Sequence, residues 1–399
     1  MSGDGPLVYI IAGEPSGDVL GARLMAALRE RTGGGVRFAG IGGERMAEQG
    51  LKSRVPLHEL AIMGVAEVLP RARQILRRVQ ETVSDIRRVQ PAAVVTIDSS
   101  GFTWRVAQRL RAAGETLPLI HYVAPMVWAW RAGKARRMAR WYDHLMVLLP
   151  FEPPYFSAVG LACSYVGHPV VESGADRGDG AAFRQRHGVP PEAPLLVVLP
   201  GSRRGEVGRL LPPFSAAVAR LAARRPDLRI VVPTTETVAD IVTAAVRDWP
   251  VPVFVVRGER EKYDAFAAAD AAMAASGTVA LELAMARLPS IVAYRLNPLT
   301  HWLLRRIVRV KFINLVNLIL DRPVIPELIQ RDCAPARLER EIERLLDDGV
   351  VREAQIAGYG EAMRRLGLGG VSPGLRAAEQ VLAVIAAAAQ RGEAAPLRP

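Results

Sequence analysis

The feature that most constrains this chain is an alternation. Short β-branched and aliphatic runs recur at Leu7–Ile11, Val36–Ala39, Ala93–Ile97, Leu117–Val123 and Leu145–Leu148, each followed by a Gly-rich or polar turn and an Ala/Leu/Arg segment of helical period. A strand that passes through a helix before the next strand returns to its sheet as a parallel neighbour, so the pattern predicts βαβ units. It pauses over Val170–Pro194, where Gly, Pro and charge gather in 172–180, and resumes at Leu195–Leu199, Leu228–Val232, Val251–Val256, Ala271–Ala274 and Ser290–Tyr294. The reading is two similar α/β halves, 1–172 and 173–345, joined through a linker. Periodic helices continue from Pro335 to Ala388; the stretch 346–388 is expected as C-terminal helices free to pack back on the first half, and 389–399 has the composition of a tail.

Composition narrows the partners. The 399 residues are 50% hydrophobic and 23% charged, the profile of a globular chain of about two domains. Fifty-two Lys and Arg against 40 Asp and Glu leave a net charge of +12, which favours an anionic partner such as a membrane, a nucleotide or a nucleic acid. Lysine occurs only at Lys52, Lys134, Lys262 and Lys311, so the excess is arginine. A bias in base composition accounts for that preference equally well, though not for the net charge. Cys163 and Cys333 stand alone, with no CxxC and no His at metal spacing, which argues against a disulfide framework or a structural zinc site. Met1–Gly5 passes directly into the first apolar run without a basic leader, and no run of about 18 apolar residues occurs, so the expected location is cytoplasmic, at most on a membrane surface.

Ligands of open parallel sheets bind beyond the carboxyl ends of the strands, which directs attention to the strand-to-helix turns. The first, Ala12-Gly-Glu-Pro-Ser-Gly-Asp18, combines glycines that permit close backbone approach with the carboxylates Glu14 and Asp18, and either Ser16 or Asp18 can cap the following helix. It is neither GxGxxG nor a P-loop. Taken alone, a capped turn with incidental carboxylates explains it. Asp98 closes the run Ala93-Val-Val-Thr-Ile-Asp98, where burial would raise its pKa and suit a general base, while capping the next helix is the simpler role. His121–Trp130 and the five bases of Arg131–Arg140 set aromatics beside cations, which suits a sugar or a lipid head group and equally a core edge beside a solvated helix face.

In the second half, Leu199-Pro-Gly-Ser-Arg203 follows a strand, and Arg203 can meet a diphosphate with two parallel hydrogen bonds. Ala275-Ser-Gly-Thr-Val-Ala-Leu-Glu282 opens a helix with Ser276, Gly277 and Thr278, a turn suited to an anion. No DxD occurs in the chain, so no metal is expected, and no cofactor.

Taken in order, these turns with Gly40-Ile-Gly-Gly43, Glu59-Leu-Ala-Ile-Met-Gly64, His121–Arg131, Leu148-Leu-Pro-Phe-Glu152, Val166-Gly-His-Pro169 and Ser276–Glu282 resemble the lipid-A-disaccharide synthase family, over about Tyr9 to Asp348. The resemblance implies a GT-B glycosyltransferase fold, α/β with two Rossmann-like domains facing a central cleft. It implies inverting transfer from UDP-2,3-diacylglucosamine to 2,3-diacylglucosamine 1-phosphate, giving a β-1′,6 linkage and UDP. Carried over by motif, Arg203 lies near the diphosphate, Ser276, Gly277 and Thr278 at the phosphate turn and Glu282 on the ribose, with Asn317 and Gln330 at further family positions. Asp98, Glu14, Ser16 and Asp18 then line the acceptor side, with Asp98 the first choice of base. Two departures stand out: the family's second Asp and its Asn are missing from Ile97-Asp-Ser-Ser-Gly-Phe-Thr103, and Val316 replaces a family Pro.

Acylated substrates imply an anionic inner-membrane surface as partner. Ile62 and Met63 fall in the apolar 59–70 segment, and the next helix sets Ile75, Leu76, Val79, Val83 and Ile86 beside bases that include Arg77 and Arg78. Trp302–Phe312 is a second such segment, and homo-oligomerisation is left open. Two other readings compete. One is a UDP-sugar 2-epimerase of the same fold. The other is a non-catalytic basic protein of membrane or nucleic acid, although no nucleic-acid motif is present.

Overall fold

The computed structural model describes residues 5–60, 65–127, 133–297 and 310–393. The chain divides into two compact units, Met1–Pro169 with Gly369–Pro399, and Val170–Leu368.

The sheet of the first unit contains β1 (Leu7–Ala12), β2 (Arg37–Ile41), β3 (Ala93–Ile97), β4 (Leu119–Tyr122), β5 (His144–Val147) and β6 (Ala162–Tyr165), in the order β2-β1-β3-β4-β5-β6. All of its neighbours run parallel. Helices that cover a parallel sheet on both faces force its strands to be apolar throughout, as in β3, where all five residues are buried. The second sheet contains β7 (Leu195–Leu199), β8 (Arg229–Thr234), β9 (Val253–Arg257), β10 (Ala271–Ala275), β11 (Ser290–Tyr294) and β12 (Glu327–Ile329), in the order β12-β11-β10-β7-β8-β9. It too is wholly parallel. The expected α/β class with two doubly wound halves is therefore present.

Ten of the twelve strands coincide with the sequence runs to within a few residues; β6 and β12 do not. Both are edge strands of three or four residues with only one sheet neighbour, so neither carries the apolar run that burial on both faces demands.

The expected linker is ordered structure of the second unit. Asp179 caps the helix Gly180–His187 by accepting from the Ala182 amide (2.9 Å), and Gly188 ends it at φ 62°. Arg184 of that helix donates to the Ala268 carbonyl (3.0 Å) and Arg186 pairs with Asp264 (2.7 Å). The block 346–388 is likewise divided. The helix Gly349–Arg365 belongs to the second unit, where Gln355 and Tyr359 hydrogen-bond Ser290. The helix Pro373–Glu393 belongs to the first, burying Ala377, Ala378 and Val381 with Leu24, Met25 and Leu28 of the helix Pro15–Arg31. Truncating Leu24 or Leu28 to Ala in so closed a seam costs about 2–5 kcal/mol.

Candidate functional site

Each sheet has one place where the strand order reverses, and the chain leaves in opposite directions there, opening a crevice. In the first unit this is β1 beside β3. The turns that follow them touch: a Cβ on Gly13 would lie 2.3 Å from Ser99 Oγ. Asp98 and Ser99 both adopt φ 46°, a left-handed conformation that non-glycine residues seldom take. Hydrogen bonds hold them there. The Asp98 amide donates to the Tyr122 carbonyl (2.9 Å), and the single Thr103 hydroxyl proton is shared between the carbonyls of Asp98 (2.8 Å) and Ser99 (3.0 Å).

The strained turn presents Asp98 to a cavity of about 180 Å³ lined by Ser100, His121, Val123, Pro125, Met126 and Lys134. Burial raises the Asp98 pKa against a hydrogen bond from the Ser99 backbone that lowers it, leaving a stronger proton acceptor than an exposed carboxylate. His121 is fully buried, and burial pushes its pKa down to about 3, so the ring is neutral, with Nδ1 2.7 Å from Thr96 Oγ1. Lys134, whose Nζ lies 5.3 Å from the Trp104 ring centroid, brings a cation to the same cavity. The sequence points to the segments that carry them, His121–Trp130 and Arg131–Arg140, but gives neither His121 nor Lys134 an individual role. Their signal, a lysine in a chain with four and a histidine ending a buried strand, was weak.

The other acceptor-side candidates separate. Glu14 is half-buried at the N-cap of the helix Pro15–Arg31, without a side-chain cap, and Ser16 is exposed in its first turn. Asp18 corrects the expectation. Neither it nor Ser16 caps that helix; Asp18 is buried and accepts from the amides of Gly43 (2.7 Å), Arg45 (3.0 Å) and Met46 (3.1 Å), capping the short helix Glu44–Glu48 instead. Both carboxylate oxygens of Asp18 are thus engaged by backbone amides.

In the second unit the reversal falls between β7 and β10. A cavity of about 770 Å³ opens at their carboxyl ends, lined by Gly201–Arg203 after β7, Ser276–Thr278 after β10, and Thr234, Lys262 and Glu282 among others. The sequence motifs thus converge on one place. Arg203 is exposed at the N-cap of the helix Arg204–Arg224, and among the described residues it has no ion pair. Gly201 adopts φ 117°, with Glu206 Oε2 packed where a side chain would sit, and the Ser202 amide donates to that same oxygen (3.2 Å). Thr234 Oγ1 is buried without a hydrogen-bond partner among the described residues.

The turn after β10 offers less than its sequence implies, because the Ser276 amide donates to the Ala293 carbonyl (3.0 Å) and the helix Val279–Met285 is only seven residues long. Glu282 is ion-paired with Lys262 (2.8 Å). Lys262 was missed by motif reading; its one sequence signal was the rarity of lysine.

Asn317 and Gln330 are not brought into this cavity. Asn317 is fully buried: its Nδ2 donates to the Ile325 carbonyl (2.8 Å) and Glu327 (2.9 Å), while its Oδ1 accepts from the amides of Val324 and Ile325. Its hydrogen-bonding capacity is spent on the loop before β12. Gln330 Oε1 accepts from the Leu296 amide (2.8 Å), tying together the segments that follow β11 and β12.

Of the membrane candidates, Ile62 and Met63 lie outside the described residues, as does most of Trp302–Phe312. On the helix Val65–Val89, Val79 and Ile86 are fully buried and Ile75 and Val83 pack against the same core, so this stripe belongs to the interior; Leu76 alone of the five is 44% exposed. Arg78 is occupied in holding Glu59 (2.7 Å) and Glu81 (2.8 Å), whereas Arg77 is 63% exposed and 3.6 Å from Glu81. No helix among the described residues is long and apolar enough to cross a membrane. No cluster of three or more His, Cys, Asp or Glu among them could hold a metal ion, and both cysteines are free.

Two Rossmann-like units, each with a six-stranded parallel sheet and a cavity at the carboxyl ends of its strands, define a GT-B α/β enzyme. The family model described as Lipid-A-disaccharide synthetase matches residues 8–364, so the chain belongs to the lipid-A-disaccharide synthase family of glycosyltransferases. It is 59% identical over 379 residues to the lipid-A-disaccharide synthase of Rhodospirillum centenum, covering 95% of this chain and 94% of that protein. It is 57% identical over 378 residues to that of Paramagnetospirillum magneticum, covering 94% and 97%. Among solved structures it is similar to a UDP-GlcNAc 2-epimerase from Neisseria meningitidis bound to UDP-GlcNAc, with a TM-score of 0.65, 9% identity and coverage of 96% and 100%. That likeness is one of fold. Family membership sets aside the epimerase and non-catalytic readings.

Proposed function

We propose that the chain transfers 2,3-diacylglucosamine from its UDP derivative to O6 of 2,3-diacylglucosamine 1-phosphate, with Asp98 as general base. The acceptor oxygen attacks C1 of the donor as the bond from C1 to the UDP oxygen breaks. The O6 proton passes to the Asp98 carboxylate, UDP departs with the bonding pair, and the configuration at C1 inverts. The observation that carries this reading is Asp98 itself, whose pKa burial raises and whose strained turn aims it into a cavity at the sheet edge. Lys134 in that cavity suits the acceptor phosphate.

UDP is assigned to the cavity at β7 and β10, with Arg203 on the diphosphate, the backbone of Gly277 and Thr278 beside it, and Glu282 on the ribose. Thr234 Oγ1, buried and unpartnered, is a ready polar contact for the nucleotide. Arginine and lysine supply the charge that a metal would otherwise carry, so activity is expected to persist in EDTA. The enzyme works at an anionic membrane surface on the cytoplasmic side, where acylated substrates reside. Incubating the purified protein with both substrates and finding the disaccharide phosphate by mass spectrometry tests the reaction. Arg203→Ala tests the placement: it should weaken UDP binding by about tenfold or more and uridine binding little. Unchanged calorimetric affinity for UDP would remove Arg203 from the site.

A further inference from the structure

Lys262 and Glu282 form the most enclosed ion pair lining the β7 and β10 cavity. Lys262 comes from the helix Glu259–Ala268 and Glu282 from Val279–Met285, with side chains only 22% and 24% exposed. Glu282 Oε2 is buried and meets the Lys262 ammonium at 2.8 Å, which leaves Oε1 as the carboxylate oxygen available to the cavity. The ammonium also lies 4.6 Å from the Tyr263 ring centroid, which restrains it further. Burial opposes the charge on Lys262, and the neighbouring Glu282 carboxylate outweighs it and raises the Lys262 pKa, so the ammonium is held in its charged form.

The pair as a whole is neutral. It therefore suits an uncharged polyol better than a diphosphate, which the Glu282 charge would repel and which Arg203, without an ion pair among the described residues, serves better. A carboxylate oxygen of fixed direction is an acceptor for a vicinal diol, the hydroxyl pair of a ribose. Without the ammonium, the carboxylate would lose the ion pair that fixes its direction and turn toward water.

We propose that Lys262 is a positioning residue for nucleoside recognition, holding Glu282 so that Oε1 receives the ribose hydroxyls of the bound nucleotide. The inference rests on the assignment of UDP to this cavity, and its test separates the two. Calorimetry with UDP and 2′-deoxy-UDP is compared for the wild type, Glu282→Gln, Lys262→Met and Lys262→Arg, with thermal unfolding confirming that each variant is folded. The wild type should prefer UDP by roughly ten- to a hundredfold, the range of a hydrogen bond to a charged acceptor. That preference should collapse toward unity in Glu282→Gln and in Lys262→Met, and Lys262→Arg should restore most of it. Collapse in Glu282→Gln with the ratio intact in Lys262→Met, even if both affinities fall together, overturns the positioning role alone. A ratio intact in Glu282→Gln, or absent in the wild type, overturns the ribose assignment and the positioning role with it.

Discussion

Gly13 and Ser99 are in contact across the strand-order reversal of the first unit, so closely that a methyl group on Gly13 would lie 2.3 Å from the Ser99 hydroxyl oxygen and 2.6 Å from its Cβ. Ser99 is not free to retreat, because its left-handed backbone is held by Thr103. The turn after β1 and the turn that carries Asp98 are therefore one mechanical unit. Gly13→Ala should cost about 1–3 kcal/mol of stability and lower kcat at least tenfold, while UDP binding in the second unit is unchanged. Ser99→Gly, which removes the clashing atoms and accepts positive φ, should rescue the double variant. Failure of that rescue in kinetics and thermal unfolding would show that the contact does not couple the turns.

Asp98 links activity to pH in a direction that its burial sets. Its pKa is raised in the folded chain, so the native state holds the proton to higher pH than the unfolded chain does. Protonated Asp98 thus contributes stability below the ordinary Asp value of about 3.9, and that contribution is lost as pH rises through the folded value. At neutral pH the ionised group costs stability. Asp98→Asn should therefore unfold at a temperature no lower than the wild type at pH 7 while losing ~10²–10⁴ in kcat, and the acid limb of the wild-type kcat profile should lie above the ordinary carboxylate range. An equal loss of stability and turnover would mark Asp98 as structural.

Asp18 is expected to show the opposite separation. Its three backbone hydrogen bonds hold the turn after β2, and Gly43 is so close that a Cβ there would lie 2.6 Å from the carboxylate. Asp18→Ala should lower stability in urea by about 2–3 kcal/mol, with kcat of the folded enzyme within a few-fold of wild type. Full stability with lost turnover would return Asp18 to the catalytic group.

What could be read from sequence follows from burial on two faces. A central strand such as β7, Leu195–Leu199, is buried at every residue, and its apolar run is therefore unmistakable. The short edge strands β6 and β12 and the Gly180–His187 helix are fixed by tertiary partners far along the chain, such as Ala268 and Asp264 for the helix, and carry little local signal. The same distinction divides the site. Arg203 sits in a turn, and Glu282 in the helix just after one, whose motifs name themselves, whereas Lys262 acquires a role only because folding brings it 2.8 Å from Glu282. Asp18 and Asn317 show the converse: short polar side chains in a suggestive motif serve backbone amides, and the motif alone does not reveal which partner they choose.

The membrane reading changes in its details. The helix Val65–Val89 turns Val79 and Ile86 into the core, so an apolar stripe there cannot also enter a bilayer, and Arg78 is committed to Glu59. Exposed Arg73 and Arg77 and the 44% exposed Leu76 are the described groups that remain for lipid. We expect binding to anionic vesicles that weakens as salt rises, at roughly 1 kcal/mol per engaged Arg. The double change Arg73→Glu and Arg77→Glu should then reduce activity on vesicle-embedded substrates at least tenfold more than on detergent-dispersed ones, and Met63→Asp should act in the same direction. Arg78→Ala should instead lower thermal stability and depress both assays alike, because it frees Glu59 and Glu81 from their shared partner. Equal losses in the two assays for the Arg73 and Arg77 pair, or a wild type that does not sediment with anionic vesicles at low salt, would mean that this face does not meet the membrane.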